Sequence, residues 1–332
     1  MPEDHANGSN SSPKRPTLQD VAAAANVSVM TVSRALRESA KVSPRTRDRI
    51  LEEAERIGYR PSYSARTLRT GESHLISVLS PNLAAPLHIE IIQGARDAAA
   101  QHGYRLLLHI DTDSYQWESA FPTDGDLIMD MEGGEPADPA RAVSLMRPRP
   151  DIDYCGTDLP GITRDTVLYL HAAGYRQVGL IQSTGNYPLA GWLEAFPRLG
   201  LDVDRTLLRE VDRPRESIIE AVRSLTSRRP AIDALVVAHT AGTPIAIEEV
   251  QRQGLVIGRD LGFVGLEVST GEWAKIFAPQ LTTVRVPGYA IGWAGATRLI
   301  ERLRGDDAPP QRVEIPSELV IRQSTPGRAG TT

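Results

Sequence analysis

Apolar residues in the first sixty positions recur at the three-and-four spacing of amphipathic helices. In TLQDVAAAA, Leu18, Val21, Ala22 and Ala25 share one face, and Thr17 is placed as the N-cap. Asn26 breaks this helix because asparagine tolerates the left-handed backbone of a tight corner, and Val27 supplies an apolar plug beneath it. Ser28 then caps a second short helix, VMTVSRAL, which buries Val32, Ala35 and Leu36 and turns Val29, Met30, Ser33 and Arg34 outward. Ser43 with Pro44 starts a third helix that runs to Ile57 and is stopped by Gly58. Its Ile50, Leu51, Ala54 and Ile57 form a stripe that closes a three-helix core over Val21, Val32 and Leu36.

From His74 the period changes. LISVLS, YRLLLHI and DLIMDM read as buried strands, with a helix from Pro86 to Gly103 between the first two. A second series follows, in which strands QVGLIQ, TLLREV, DALVVA and LGFVGL alternate with helices over residues 162–173, 189–199, 215–227 and 243–253. PQLTTVRVP, a helix from Tyr289 to Leu303 and a last strand ELVIRQ complete the pattern of a parallel α/β fold in two lobes. The first lobe departs from that pattern. Its connections around DLIMDM are shorter than parallel crossovers require, so one or two crossover helices are expected to be missing.

Charge changes the picture of the N-terminal segment. The chain of 332 residues has a formal net charge of −5, yet Lys14 to Ser73 carry 12 basic and 7 acidic side chains, a local balance of +5. A local positive face is what phosphate attraction needs, and the acidic remainder discourages the larger part from adhering to nucleic acid. On the second helix Arg34 can reach two acceptors on a guanine edge, Val29 and Met30 offer apolar contact such as to a thymine methyl, and Thr31 and Ser33 suit phosphates. An alanine-rich helical hairpin is the plainer reading of Ala22 to Ala25; the capping and spacing together favour a helix-turn-helix.

TLQDVAAAANVSVMTVSRALRESAKVSPRTRDRILEEAERIGYRP, followed by SYSARTLRTG, resembles the headpiece of the lactose/galactose repressor family. The resemblance implies an all-α helix-turn-helix headpiece plus hinge helix, followed by a two-lobed α/β domain like a type I periplasmic binding protein. It implies a homodimeric, DNA-binding transcriptional regulator, repressor logic, a pseudo-palindromic operator and a small-molecule effector such as a sugar between the lobes. Val29, Met30 and Arg34 would read bases, and Thr17, Ser28, Thr31, Ser33 and Tyr59 would position the DNA backbone. In the family the hinge becomes helical on DNA and pushes a leucine into the minor groove; Leu68 occupies that leucine's place, where a wedge would bend the duplex.

The expected divisions are a tail over 1–15, the headpiece over 16–61, the hinge over 62–73, the two-lobed domain over 74–323 and a second tail over 324–332. Lobe 1 takes about 74–157 and 286–312, and lobe 2 about 158–285 and 313–323. Both tails are rich in small polar residues, without an apolar period, and are expected to be disordered.

Ligands of open α/β sheets sit beyond the carboxyl ends of the strands. The loops there place His88, Asp158, Asn186, His239 and Glu267 as candidate effector contacts. At these positions sugar-responsive members of the family hold aromatic residues, an arginine, an Asn-Asp pair and an aspartate, so most of the sugar-clamping chemistry is replaced. A different, less polyhydroxylated effector and a vestigial cleft are the two explanations.

Catalytic patterns are absent from the sequence: there is no Gly-x-Ser-x-Gly elbow, no Walker loop and no His-Glu-x-x-His helix. The single cysteine, Cys155, excludes an internal disulfide and a cysteine-rich zinc cluster. Gly288, Gly292 and Gly295 do not follow a strand in dinucleotide-binding spacing and suit close helix packing instead. The expectation is therefore no enzyme, no cofactor and no metal, and, with no signal peptide or apolar run of about 20 residues, a cytoplasmic protein with no membrane partner.

Overall fold

A computed structural model of the chain describes residues 16–36, 42–59, 72–80, 83, 85–110, 122–129, 136, 138–183, 188–211, 215–268 and 273–328. The chain forms two compact units, Met1–Ser73 and His74–Thr332.

The first unit holds α1 (Leu18–Ala24), α2 (Val29–Ala35) and α3 (Pro44–Arg56). Val21, Ala22, Ala25, Val32, Ala35, Ile50 and Ala54 form its core, with Leu18, Val27, Leu36 and Ile57 packed against it. Asn26 is left-handed at φ 48°, and the amides of Asn26 and Val27 donate back to Ala23 and Ala22, closing the first helix. Gly58, at φ 68°, and Tyr59 repeat the device at the end of α3, on the carbonyls of Glu55 and Ala54. Two expectations need correction here. Leu51 is 40% exposed, because Ile50 and Ala54 already fill the narrow arc that α1 and α2 present. Ser33, read as outward, is only 6% exposed, one position along the helix from Val32 and on the inner side of α2.

The second unit contains two six-stranded sheets, ordered β11-β5-β4-β3-β1-β2 and β12-β10-β9-β8-β6-β7. In lobe 1 these are β1 (Leu75–Ser80), β2 (Arg105–Ile110), β3 (Gly125–Met129), β4 (Ala142–Leu145), β5 (Asp153–Gly156) and β11 (Arg312–Glu314), all parallel. Lobe 2 has β6 (Val178–Ser183), β7 (Leu208–Val211), β8 (Ala234–Ala238), β9 (Gly262–Val268), β10 (Thr282–Val286) and an antiparallel edge, β12 (Glu318–Val320). The pairing of β11 with β5 carries lobe 1 through Glu314, two residues past the expected limit.

Lobe 2 is wound on both faces. α5 (Leu159–Ala172) packs with α6 (Leu189–Arg198), and α7 (Arg215–Thr226) with α8 (Gly242–Arg252). A short α9 (Trp273–Ile276) precedes β10. Lobe 1 is different. Its helices α4 (Pro86–Gln101) and α10 (Gly288–Leu303) pack on each other and on the side of the sheet that holds Ile76 and Val78. Among the described residues, the connection from β3 to β4 contains a single 3-10 turn, Pro139–Arg141, and no crossover helix. The other side of this sheet carries a separate small cluster of Leu79, Ile128, Ala142 and Ile152. Beside it lies Asp126, hydrogen-bonded by the Ser77 and Thr123 hydroxyls, and burial raises its carboxyl above the ordinary range.

Two buried features lock α10 to lobe 1. An added Cβ at Gly292 would run into the Ile91 carbonyl, and one at Gly94 into that of Tyr289, so the two helices meet backbone to backbone. Asp153 on β5 accepts from Arg302 at 2.6 Å and from the Gln311 amide at 2.6 Å, with Arg298 at 3.0 Å. Burial works to raise the Asp153 carboxyl, and these three partners outweigh it and hold it low.

The chain end is also fixed. Residues 324–328 were expected in a disordered tail, yet Ser324 and Thr325 are buried. The Ser324 carbonyl accepts from the Phe263 amide at 3.0 Å, Pro326 accepts from the Tyr175 hydroxyl at 2.9 Å, and the Arg328 amide donates to Ala173 at 2.8 Å. Backbone groups that satisfy the margin of a buried strand leave this segment little freedom, whatever its composition.

The Gly292→Ala substitution is expected to destabilise the protein by about 1–3 kcal/mol through overpacking of the α4–α10 crossing, measured as the urea unfolding midpoint. An unchanged midpoint would mean that the two helices part without cost.

Candidate nucleic-acid interface and interlobe cleft

The caps of α1 and α2 determine what the first unit presents. The Thr17 amide donates to Asp20 at 2.7 Å and the Asp20 amide returns a bond to the Thr17 hydroxyl, a reciprocal capping box. Ser28 accepts from the Thr31 amide at 3.1 Å, and its hydroxyl also meets that of Thr31 at 2.8 Å. The start of α2 is thus set by its own side chains. Beyond that cap, Val29 is 41% and Met30 62% exposed, unusual for apolar residues in so small a unit, and Arg34 is exposed one turn later. These three side chains form a mixed apolar and cationic face. Thr17 and Ser28 are exposed beside it, Thr31 and Tyr59 are half-buried, and Ser33 is buried. Leu68 and the rest of the expected hinge over 62–71 lie outside the described residues, as does Asn186.

Between the lobes the candidate residues behave differently from the loop contacts expected. His88 is buried within the first turn of α4. Asp158 caps α5, accepting from the Gly161 amide at 2.9 Å. His239 turns its Nδ1 to the Gly242 amide at 2.8 Å, at the start of α8. Glu267 is fully buried: Arg322 donates to it at 3.1 Å, the Thr283 hydroxyl also donates, and Arg285 stands 3.9 Å away. Its position at a strand end predicts an effector contact, but strand alternation turns Glu267 to the opposite side of the sheet from Leu266 and Val284.

Those two apolar residues line a cavity of about 60 Å³ at the carboxyl ends of the lobe 2 strands. Leu87 and Met146 of lobe 1 close it from one side; Leu159, Ile162, Thr163, Thr166 and Pro188 close it from the other, with Val236 to Ala238 behind. The strand ends do converge on this region, but most of its described walls are apolar positions with no polar signal, among them the residue following β4. That residue, Met146, sits at φ 69°, a left-handed conformation that a long side chain rarely adopts, with its amide donating to Cys155 at 3.2 Å. Two of the chain crossings between the lobes are tied together nearby, where Thr157 and Ser317 share a hydrogen bond at 2.7 Å.

No group of three or more potential metal ligands occurs among the described residues. Burial, with Asp153 adding to it, pushes the Cys155 thiol up to about 12, which removes it as a nucleophile at neutral pH. Among the described residues no helix is long and apolar enough to cross a membrane.

Fold and surface together define a helix-turn-helix DNA-binding unit joined to a two-lobed α/β domain of the periplasmic-binding-protein type. Residues 17–62 match the family described as bacterial regulatory proteins, lacI family, and residues 167–325 match the periplasmic binding protein-like domain. The chain thus carries a lacI-family DNA-binding region and a periplasmic-binding-protein-like domain, and is a DNA-binding transcriptional regulator. It is 29% identical over 330 residues to the HTH-type transcriptional repressor CytR of Escherichia coli (strain K12), covering 93% of this chain and 96% of the relative. It is 28% identical over 337 residues to the HTH-type transcriptional regulator CelR of Thermobifida fusca, covering 94% and 98%. Among solved structures, a lac repressor dimer bound to operator and an anti-inducer has the same fold, with a TM-score of 0.76 at 23% identity, covering 94% of this chain and 100% of that one.

Removing the Glu267 carboxylate strands the Arg322 guanidinium in the interior, so Glu267→Ala should cost about 3 kcal/mol or more of stability in chemical denaturation. A loss near zero would show that Arg322 swings out to water. Cys155 in the native protein should resist a disulfide reagent at pH 8 and react fully once the chain is unfolded; rapid native labelling would contradict its burial.

Proposed function

We propose that the protein is a homodimeric repressor that reads a pseudo-palindromic operator, one headpiece per half-site, and is modulated by a small molecule held between its lobes. The observation that carries the DNA-reading part is the exposure of Val29, Met30 and Arg34 on a helix whose start is fixed by Ser28 and Thr31. An exposed methionine and valine beside an arginine cost solvation unless something covers them. A major-groove edge offers the right complement, two guanine acceptors for Arg34 and thymine methyls for the apolar pair. Thr17, Ser28, Thr31 and Tyr59 are assigned to the phosphate backbone, and Leu68, in a hinge over 62–73, to a minor-groove wedge. Ser33 is left out because its burial keeps it from a phosphate.

Two-fold symmetry of a dimer gives the operator its palindromic character. The lac repressor of the same fold is a dimer bound to its operator, which supports this reading by likeness of fold. The protein is placed in the cytoplasm and is assigned no enzymatic step, in keeping with relatives that are transcriptional regulators.

A regulator with an unused cleft is the competing reading, favoured by the way Asp158, His239 and Glu267 are engaged within the chain. Against it stands the cavity itself, walled by both lobes.

Selection from a random DNA pool with the purified protein tests the function, a palindromic winner being the expected result. Absence of any selected sequence, with and without cell extract as a source of effector, would remove the reading. On the selected site, Arg34→Ala should cost about 1–3 kcal/mol and relax the preference at one base pair of each half-site. A uniform loss across all sequences would make Arg34 a phosphate contact instead.

A further inference from the structure

We infer that Val29 and Met30 recognise the C5-methyl group of a pyrimidine and nothing else on that base, so that operator binding responds to cytosine methylation. At the base they face, 5-methylcytosine stands in for thymine and unmethylated cytosine does not. This rests on the reading of α2 as the helix that enters the major groove, and it names the chemical group which that helix requires of the DNA.

The side chains of α2 divide into two sets. Val32, Ser33 and Ala35 are buried. Thr31 is half-buried, and its hydroxyl is bonded to that of Ser28 at 2.8 Å. The side chains held out to solvent are Val29, Met30 and Arg34. Met30 and Arg34 are four residues apart and so share one helix face, with Val29 beside Met30 at the capped start. Of the three, only Arg34 has hydrogen-bonding atoms. The N-terminal end of this face is therefore blind to the donors and acceptors of a base edge.

One feature of a base edge suits such an end. In the major groove thymine presents its O4 acceptor and its C5-methyl group, and cytosine presents its N4 donor and no methyl. Val29 and Met30 can pair with neither O4 nor N4, so the polar difference between the two pyrimidines gives them nothing to hold. The methyl group remains. Methylation of cytosine at C5 places the same apolar group at the same point of the groove. The unbranched, polarizable side chain of Met30 can settle on it in either base. Charge fixes nucleic acid as the occupant of this face: Arg34 stands one turn away, in a segment with a local balance of +5, which calls for a polyanion and not for an apolar protein surface. One helical turn is about 5.4 Å, which places the methyl-bearing base within about two base pairs of the guanine read by Arg34.

The test is fluorescence anisotropy of the full-length protein on the operator selected from the random pool. Each thymine of a half-site is replaced in turn by uracil, which removes the methyl group alone. One replacement close to the guanine read by Arg34 should weaken binding about fourfold, the worth of one buried methyl group. At that position cytosine should bind like uracil, and 5-methylcytosine should restore the affinity found with thymine. A double variant, Val29→Ala with Met30→Ala, should bind all four bases there alike; both side chains are exposed, so the headpiece keeps its fold. Three results would each overturn the inference: an operator in which no thymine methyl matters, 5-methylcytosine bound no better than cytosine, or methyl dependence that persists in the double variant. The last would assign the effect to the shape of the DNA. If the operator is bound and its methyl groups are without effect, only this inference falls; if no operator is selected, the reading of the protein as a regulator falls with it.

Discussion

A carboxylate buried in a strand must be paired, and in lobe 2 that requirement decides which chemistry reaches the cleft. Glu267 is fully buried near the end of β9, and Arg322 and Thr283 satisfy it from the segment after β12 and from β10. Both partners lie on the same side of the sheet. Because side chains alternate along a strand, fixing Glu267 on that side fixes Leu266 and its neighbour Val284 on the other. A single ion pair therefore does two things: it ties three chain segments together and leaves the facing surface apolar. Shifting β9 by one residue would expose the carboxylate to the cavity and bury a leucine among arginines, so the register is strongly specified.

The headpiece was legible in the sequence because its signals are local. Thr17, Asn26, Ser28, Ser43 and Gly58 act on backbone groups within five residues of themselves, and each does so at the place its chemistry indicates. The errors there came from side-chain direction: Leu51 and Ser33 sit at the margins of the helical stripe, where a 100° step per residue leaves the pattern ambiguous and only the shape of the neighbouring helices decides. The alternation of strands and helices in the second unit was equally readable, and among the described residues the short connection from β3 to β4 holds a 3-10 turn and no crossover helix.

The cleft was less legible. Position relative to a strand end located the region, but not the direction of a side chain or its partners. Asp158 and His239 stand at strand ends and are spent on capping α5 and α8, which a sequence cannot distinguish from facing a ligand. Met146 carries no polar signal at all, and it matters because of a left-handed backbone that nothing in its residue type announces. The burial of Ser324 and Thr325 was hidden for the same reason: composition marks this segment as a tail, while its partners on Phe263, Tyr175 and Ala173 are far away in sequence.

A cavity bounded by both lobes has a consequence that one confined to a single lobe lacks. A ligand shifts a conformational equilibrium only by the difference between its affinities for the two states. An occupant touching lobe 2 alone would keep its contacts however the lobes stood, and would have no leverage. Leu87 and Met146 contribute the wall that depends on the approach of lobe 1. Both are already buried without an occupant, at 8% and 4% exposure, so what an occupant can add on that wall is packing contact rather than fresh burial from water. Thr157 and Ser317, bonded to each other across two of the lobe crossings, are placed where a change in the angle between lobes must be absorbed.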